Sequence, residues 1–200
     1  MSFSATQYDT VANLVWPKRD ASANWFRAIV LAIAGSLLIA VSAKINIPFY
    51  PVPMTMQTFA ILSIGMCFGL RLGFATILLY LVEGALGLPV FAGTPGKGIG
   101  ITYMVGPTGG YLLGYLFAAG AMGMLAERGW DKRFFLTLAA MLIGATLIYA
   151  PGLLWLGILF GWDKPILEWG LTPFLFGDAC KLLLAAVLLP TLGRVLRRQR

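Results

Sequence analysis

The stretch "PMTMQTFAILSIGMCFGLRLGFATILLYLVEGAL" (residues 53–86) contains two apolar runs that are separated by one charged residue, Arg71. A helix needs about 20 apolar residues to cross the hydrocarbon core of a bilayer, and about 17 can suffice. Each run is close to that length, so we expect two membrane-crossing helices that turn back on each other at Arg71. The stretch therefore predicts a helical hairpin within a membrane.

The composition of the whole chain agrees with a membrane protein. Of the 200 residues, 59% are hydrophobic and only 12% are charged, which is outside the range of ordinary soluble domains. Apolar runs predict six spans, at residues 25–43, 53–70, 72–86, 107–126, 134–160 and 173–196. We therefore predict an all-α integral membrane protein whose single six-helix domain covers residues 25–196, between an N-terminal segment (1–24) and a basic tail (197–200).

Lysine and arginine predict the orientation of these helices, because short cytoplasmic loops carry an excess of them. With both termini inside, three lysines fall outside, namely Lys44, Lys97 and Lys164, and Lys181 lies within the sixth span. The other eleven fall on the inner side: Lys18, Arg19, Arg27, Arg71, Arg128, Lys132, Arg133, Arg194, Arg197, Arg198 and Arg200. We therefore predict a multi-pass protein of the cell inner (plasma) membrane with both termini cytoplasmic. Its long outer loops would cap a ligand pocket that faces outside.

Several kinds of site are not expected. The formal net charge is +7, but the basic residues are spread through short loops and the tail, so we expect no nucleic-acid partner. The chain has no histidine, and Cys67 and Cys180 lie far apart in apolar runs, so we expect no disulfide framework, metal site or cofactor. The segment "GTPGKGIG" (residues 93–100) lacks the spacing of a phosphate-binding loop, so this chain has no recognisable route to ATP hydrolysis.

An enzyme is also not expected. The element "FGD" (residues 176–178) resembles part of the G-x-G-D element of intramembrane aspartyl proteases, but Leu175 replaces its first glycine. A carboxylate dyad would require a second intramembrane aspartate, which the predicted spans lack. A serine or cysteine nucleophile would have no histidine to activate it.

The stretch "LFGDACKLLLA" (residues 175–185) places Asp178 and Lys181 inside the sixth span, where uncompensated charges are costly. Residues three apart share one face of a helix. Two interpretations are open, an ion pair that neutralises itself and a pair that faces a cavity and contacts a ligand. Glu83, the only other acid in a predicted span, either pairs with Lys97 or lies close to water.

Two outer segments carry features of a binding site. The loop at residues 87–111 contains aromatic and branched side chains that a solvated linker would not need, so we expect a folded cap or re-entrant segment. In "NIPFYPVPMTMQT" (residues 46–58), prolines stiffen the approach to the second span and leave Thr55 and Gln57 in its first turns. The alternative for this stretch is an interfacial aromatic belt with a helix cap.

Small residues at four-residue spacing form two stripes, which would let another helix approach closely. The first stripe consists of Ala28, Ala32, Ser36 and Ala40 in the first span. The second consists of Gly110, Gly114 and Ala118 in the fourth. One stripe could serve internal packing and the other could receive a partner, and the sequence does not say which.

Four motifs in order, "PVPMTMQTF" (51–59), "GALGLPVFAG" (84–93), "GPTGGYLLGY" (106–115) and "GDACK" (177–181), make the chain resemble the BioY family. These proteins are the biotin-binding membrane subunits, or S components, of energy-coupling-factor (ECF) vitamin transporters. The resemblance covers about residues 25–196 and implies six helices with cytoplasmic termini. It also implies that biotin is captured from outside, and that a transmembrane scaffold and two ATPase subunits couple transport to ATP.

The resemblance implies roles for particular residues. Asp178 would accept from the ureido N–H groups of biotin, whereas Lys181 would donate to the ureido carbonyl, to the valerate or only to Asp178. Thr55 and Gln57 would be further polar contacts, and residues 93–100, beginning at Gly93, would close over the ligand. The apolar walls would be Phe49, Tyr50, Phe91 and Tyr103.

The stripe of Ala28, Ala32, Ser36 and Ala40 matches the small-residue pattern with which such subunits dock their scaffold. Two alternatives stay open: a transporter that works alone, as a monomer or a homo-oligomer, and the same role for another vitamin. Secondary transporters are usually built from inverted repeats, and the sequence shows no convincing one.

Overall fold

A computed structural model of the chain describes residues 8–17 and 20–198. Residues 1–7, residues 199–200, Lys18 and Arg19 lie outside the described residues, as do the parts of the predicted N-terminal segment and basic tail that they form.

The described chain is almost entirely helical. Its long helices are α2 (Ala21–Lys44), α3 (Gln57–Phe68), α4 (Leu70–Ala85), α6 (Gly109–Glu127), α7 (Phe134–Phe160) and α9 (Leu175–Arg198). The short helices are α1 (Val11–Val15), α5 (Gly100–Met104) and α8 (Ile166–Gly170), with 3-10 turns at Trp130–Lys132 and Thr172–Phe174. The two-residue strands β1 (Asn46–Ile47) and β2 (Met54–Thr55) pair antiparallel before α3, with Asn46 opposite Thr55.

Four helical segments are long and apolar enough to cross a membrane, at Ser22–Lys44, Gly109–Glu127, Phe134–Phe160 and Ile166–Arg198. The 12 residues of α3 and the 16 of α4 are shorter. They reach about 18 and 24 Å, against a hydrocarbon core of about 30 Å. That α3 and α4 complete a set of six spans stays a prediction.

The hairpin predicted at Arg71 turns two residues earlier, at Gly69. Gly69 has a φ of +82°, which glycine adopts without the steric strain that a side chain would cause. The main-chain N–H of Leu70, at the start of α4, then donates to the Glu127 carboxylate over 3.0 Å. Arg71 therefore lies in the exposed first turn of α4 rather than between the helices.

Contacts between loops define two ends of the helical bundle. At the end that we call the termini end, the main-chain N–H of Tyr8 donates to the Glu127 carbonyl over 3.0 Å, and Arg197 lies 3.9 Å from Asp131. At the opposite end, the loop end, Lys44 closes α2 against the loop that follows α4. Both ends of the described chain thus lie at the termini end.

The second small-residue stripe serves internal packing. A Cβ added to Gly114 would lie 2.7 Å from the Ile148 main chain, and one added to Gly110 would lie 2.3 Å from the Pro151 carbonyl. Ala118 is also fully buried. Residues without side chains here let α6 and α7 approach closely, which brings the aromatic residues of α6 against α7.

Candidate ligand-binding cavity

A cavity lies at the loop end, enclosed by the segment before α3, the loop after α4, α5, and the adjoining ends of α6, α7 and α9. The space between its walls, including the mouth, is about 520 Å³. Its polar lining residues are Thr55, Gln57, Thr58, Tyr103, Thr108, Tyr111, Tyr115, Tyr149, Asp178 and Lys181. Its apolar lining residues are Val52, Pro53, Met54, Phe91, Ala92, Leu112, Ile148 and Phe174.

Asp178 and Lys181 form an ion pair inside this lining. Lys181 Nζ lies 2.8 Å from Asp178 Oδ1, and the two residues are only 6% and 8% exposed. The ammonium also donates to the Thr55 carbonyl over 2.7 Å and to Thr58 Oγ1 over 3.3 Å. The two interpretations of this pair are therefore compatible, because the charges neutralise each other and still line a cavity.

Asp178 accepts two further hydrogen bonds. The Thr58 hydroxyl donates to Oδ1 over 3.2 Å, and the Tyr149 hydroxyl donates to Oδ2 over 2.6 Å. Tyr149 is held in place by neighbouring rings, stacked on Phe174 at 6.3 Å and edge-on to Tyr111 at 6.0 Å between ring centroids. The carboxylate is thus fixed from α3, α7 and α9 before any ligand enters.

Sequence reasoning missed Thr58 and Tyr149. Thr58 directly follows Gln57, which was predicted as a ligand contact. A threonine near the start of a helix is common as a capping residue, so it did not indicate a binding site. Tyr149 lies in the middle of the apolar fifth run, where one tyrosine looks like a packing residue. The hydroxyl of Tyr149 in the middle of an apolar span could have indicated its role, because a buried tyrosine hydroxyl usually has a hydrogen-bond partner.

Gln57 connects the cavity to the loop after α4. Its Nε2 donates to the Tyr80 hydroxyl over 2.7 Å, and that hydroxyl donates to the Val90 carbonyl over 3.2 Å. Its Oε1 accepts from the Thr55 hydroxyl over 3.3 Å. Both residues predicted from the start of the second span therefore line the cavity.

The loop after α4 contributes an aromatic wall. Phe91 is buried, stacked on Tyr103 at 4.9 Å and edge-on to Tyr80 at 5.5 Å between ring centroids. Lys44 holds this loop from α2, because its Nζ donates to the carbonyls of Pro89 over 2.7 Å and Phe91 over 2.9 Å.

Thr94 binds the same ammonium. Lys44 Nζ donates to the Thr94 hydroxyl over 3.1 Å and to the Thr94 carbonyl over 3.4 Å. In the sequence Lys44 looked only like an outer charge, because nothing local shows that a lysine binds main-chain carbonyls about 45 residues away.

Three predicted contacts lie outside the lining. Tyr50 is 80% exposed, so in this structure it is not the apolar wall that was expected. Phe49 stands behind the cavity, edge-on to Phe174 at 6.1 Å. Gly93 is exposed in the loop turn with a φ of +74°, so it shapes the loop without lining the cavity.

Glu83 has a partner that was not anticipated. Its carboxylate accepts a hydrogen bond from the hydroxyl of Ser36 in α2. Lys97 is exposed, and within residues 8–17 and 20–198 it forms no ion pair with Glu83. Of the two alternatives for Glu83, the pairing with Lys97 is not found, and the carboxylate instead links α2 and α4.

The first small-residue stripe does not present one surface. Ser36 is fully buried against α4 by its bond to Glu83, so it faces inward in this structure. Ala28, Ala32 and Ala40 are partly exposed.

The geometry suits an organic ligand with N–H donors and an apolar body. A buried carboxylate offers a strong acceptor, and the aromatic and aliphatic walls exclude water. Within the described residues, no group of three or more His, Cys, Asp or Glu side chains could hold a metal ion.

Comparison with known proteins gives consistent results. The family model described as "BioY family" matches residues 13–198. The probable biotin transporter BioY of Pyrococcus horikoshii is 38% identical over 151 residues, covering 76% of this chain and 86% of that protein. The biotin transporter BioY of Thermotoga maritima is 36% identical over 162 residues, covering 81% and 93%.

A solved structure is also similar, the S-component for biotin from an ECF-type ABC transporter. Its TM-score is 0.69 at 23% identity, and the match covers 88% of this chain and 95% of that one. This likeness shows the fold, a multi-helix membrane architecture. With the family match over nearly the whole chain, it leads to one conclusion: the chain belongs to the BioY family.

Proposed function

We propose that this chain binds biotin in the loop-end cavity and transports it as the substrate-specific subunit of an ECF-type ABC transporter. The family match and the relatives named as biotin transporters support the substrate. The observation in the structure that carries the proposal is the buried Asp178 carboxylate, oriented by three donors and lining a cavity with aromatic walls.

Counting acceptor sites assigns a ligand contact to Asp178. An ionised carboxylate has about four acceptor positions. Oδ1 already accepts from Lys181 and Thr58, whereas Oδ2 accepts only from Tyr149. Oδ2 therefore retains one acceptor position for a ureido N–H of biotin.

The same counting makes Lys181 a positioning residue. An ammonium has three donor hydrogens, and here they match the Thr55 carbonyl, Thr58 and Asp178. Gln57, in contrast, uses one of its two Nε2 hydrogens, on Tyr80. We therefore assign the ureido carbonyl or the valerate to Gln57, and the apolar ring to the walls formed by Phe91 and Tyr103.

We further propose six spans with both termini in the cytoplasm and the cavity facing outside. The described basic residues of the termini end are Arg27, Arg71, Arg128, Lys132, Arg133, Arg194, Arg197 and Arg198, whereas the loop end has Lys44, Lys97 and Lys164. Such an excess marks the cytoplasmic side.

Coupling to ATP would come from partner subunits, a membrane scaffold and two ATPases. We propose that the scaffold docks on the partly exposed alanines of α2, Ala28 and Ala32, with Ala40 continuing the stripe. Ser36 packs inside the protein in this arrangement and does not contact the scaffold.

Ala32→Leu should therefore reduce co-purification of the scaffold and leave biotin binding intact. Ala34→Leu, on an exposed position of the same helix, is the matched control.

The proposed function is tested by two assays. Purified protein is titrated with biotin and with a panel of other vitamins, and uptake is measured in cells with and without the scaffold and ATPase subunits. We expect biotin alone to bind tightly and uptake to require the partners. Tight binding of another vitamin instead of biotin would identify that vitamin as the substrate. Undiminished uptake without the partners would support a transporter that works alone, as a monomer or an oligomer.

A further inference from the structure

A second cavity lies at the termini end and shares no lining residue with the ligand cavity. It is bounded by α1, α2, the start of α4 and the end of α6, and its empty space including the mouth is about 1160 Å³. Its charged lining residues are Arg27, Arg71, Asp9 and Glu127. A cavity with charged walls at the end of a helical bundle suits a polar ligand rather than an acyl chain.

Arg27 is the principal donor toward this cavity. It is 4% exposed, and its Nη2 donates to Asn13 Oδ1 over 3.0 Å. Its Nε is buried and has no hydrogen-bond partner among the residues that the structure describes. A buried donor left unsatisfied is costly, and a guanidinium charge more so. The geometry therefore leaves a cationic donor ready for an anionic group in the cavity.

The position of Arg27 along α2 is one where lipid head groups are expected. It lies six residues after the start of α2 at Ala21, or about 9 Å along the helix. Its neighbours Trp25 and Phe26 are strongly exposed, and aromatic side chains in that position mark the membrane interface. We therefore expect the buried Arg27 side chain at the level of the bilayer phosphates.

The cavity also carries two acids. Asp9 Oδ1 accepts from Asn13 over 3.4 Å, and Glu127 Oε1 accepts from the Leu70 main chain over 3.0 Å. Within the described ranges 8–17 and 20–198, neither acid forms an ion pair with Arg27. The lining thus presents separate positive and negative groups that do not neutralise each other by contact.

We propose that this cavity binds the head group of phosphatidylethanolamine. The Arg27 guanidinium would donate to the phosphate, a charge-assisted geometry that arginine favours. The ammonium would donate to Asp9 and Glu127. A head group with a phosphate but no amine would leave both acids unpaired, and a choline head group has no N–H to donate.

Native mass spectrometry of the delipidated full chain in detergent tests this proposal. Phosphatidylethanolamine, phosphatidylcholine and phosphatidylglycerol are added separately at equal concentration, and inorganic phosphate is added as a competitor. We expect phosphatidylethanolamine to bind at least about 5-fold more tightly than the other two, and millimolar phosphate not to displace it. A preference of that size is a modest free-energy difference of about 1 kcal/mol.

Variants connect the preference to the cavity. Arg27→Gln should weaken the binding of all three lipids, because each carries the phosphate, whereas Arg128→Gln, at an exposed position of the same end, should not. Glu127→Gln keeps an acceptor for Leu70 and removes the charge, so it should reduce the preference over phosphatidylglycerol. If Arg27→Gln does not fold, as judged by size-exclusion profile, Arg27→Lys and Glu127→Gln carry the test. Equal binding of the three lipids, displacement by phosphate, undiminished lipid binding in Arg27→Gln, or an unchanged preference in Glu127→Gln would overturn the proposal.

Discussion

The two ends of the helical bundle hold buried charges in different ways. At the loop end, Asp178 and Lys181 pair with each other, and both receive further hydrogen bonds from neighbouring helices. At the termini end, Asp131 is 1% exposed, and within residues 8–17 and 20–198 neither of its carboxylate oxygens has a hydrogen-bond partner. Its closest cation, Arg197, is 3.9 Å away.

The two ends differ in how far their polar groups are fixed before a ligand binds. A satisfied polar network is rigid and fixes its groups in one geometry, which suits recognition of a small ligand. Buried groups that lack partners have a free-energy cost that a bound molecule can remove. The polar groups of the loop end are therefore fixed in advance, whereas the buried Arg27 donor of the termini end is, in our proposal, satisfied by a bound lipid head group.

The largest expected effect comes from breaking the buried ion pair. Asp178→Asn leaves Lys181 charged and unpaired, and loss of one partner of a buried pair costs about 3–5 kcal/mol. We expect a much lower melting temperature in detergent and a loss of biotin affinity of more than about 100-fold, because the ligand also loses its charged acceptor. Thermal unfolding and titration with labelled biotin measure the two effects.

The double variant Asp178→Asn/Lys181→Met separates stability from binding. It removes both charges, so the melting temperature should recover most of the loss while biotin affinity stays low. Recovery of affinity together with stability would show that the pair has only a structural role.

Tyr149→Phe should have the next largest effect. It removes the hydroxyl that donates to Asp178 Oδ2 and leaves the ring stacking on Phe174 in place. The bond is present before biotin binds, so most of its free energy, about 1.5–3 kcal/mol, is lost from protein stability. The Kd for biotin should rise about 5-fold, because the carboxylate is less well oriented and about 1 kcal/mol of binding free energy is lost. Tyr50→Phe, at the exposed tyrosine outside the cavity, is the control. Equal effects of the two variants would contradict the assignment.

Lys44→Met tests the attachment of the loop. Without the ammonium, the carbonyls of Pro89 and Phe91 lose their donor, and the Phe91 wall becomes less ordered. Because these bonds are partly solvated, we expect a loss of about 1 kcal/mol, seen as a biotin dissociation rate about 5-fold higher. Lys97→Met removes an exposed charge from the same loop and should leave the rate unchanged. Stopped-flow displacement of labelled biotin measures both.

The smallest expected effect is a pH dependence of protein stability that comes from Asp131. Burial raises the pKa of Asp131, and Arg197 and Lys132 partly oppose this shift. The folded protein therefore binds this proton more tightly than the unfolded chain does. The contribution of Asp131 to the free energy of unfolding is largest below about pH 4, the pKa of an unfolded aspartate, and falls as pH rises through the raised pKa.

Asp131→Asn removes that component. Relative to the variant, the parent should lose about 2–4 °C of melting temperature as pH rises above 4, which is what about 1 kcal/mol produces in a chain of this size. Asp163→Asn, at an exposed acid of the loop end, serves as control and should follow the parent. Parallel curves for the parent and Asp131→Asn would argue against a raised pKa.

The sequence predicted those parts of the molecule that depend on local pattern. The fifth predicted span, residues 134–160, coincides with α7 because its apolar run is uninterrupted, whereas the hairpin turn was placed at Arg71 and lies at Gly69. The turn was predicted at Arg71 because of its charge, but it lies at Gly69 because that residue can adopt a positive φ.

The cavity could be predicted only in part. Asp178, Lys181, Gln57 and Thr55 line it, as expected from polar residues at depth. Tyr149 and Lys44 were missed because their roles depend on partners far along the chain, in another helix or in a loop's main chain. Such contacts are a property of packing, which periodicity and spacing do not encode.

The most direct test of the central claim is an experimental structure with biotin bound. We predict the ligand in the loop-end cavity, with a ureido N–H donating to Asp178 Oδ2 at about 2.7–3.2 Å and with Lys181 still bonded to Asp178. Biotin bound elsewhere, or in this cavity with Asp178 contacting only Tyr149, Thr58 and Lys181, would contradict the account.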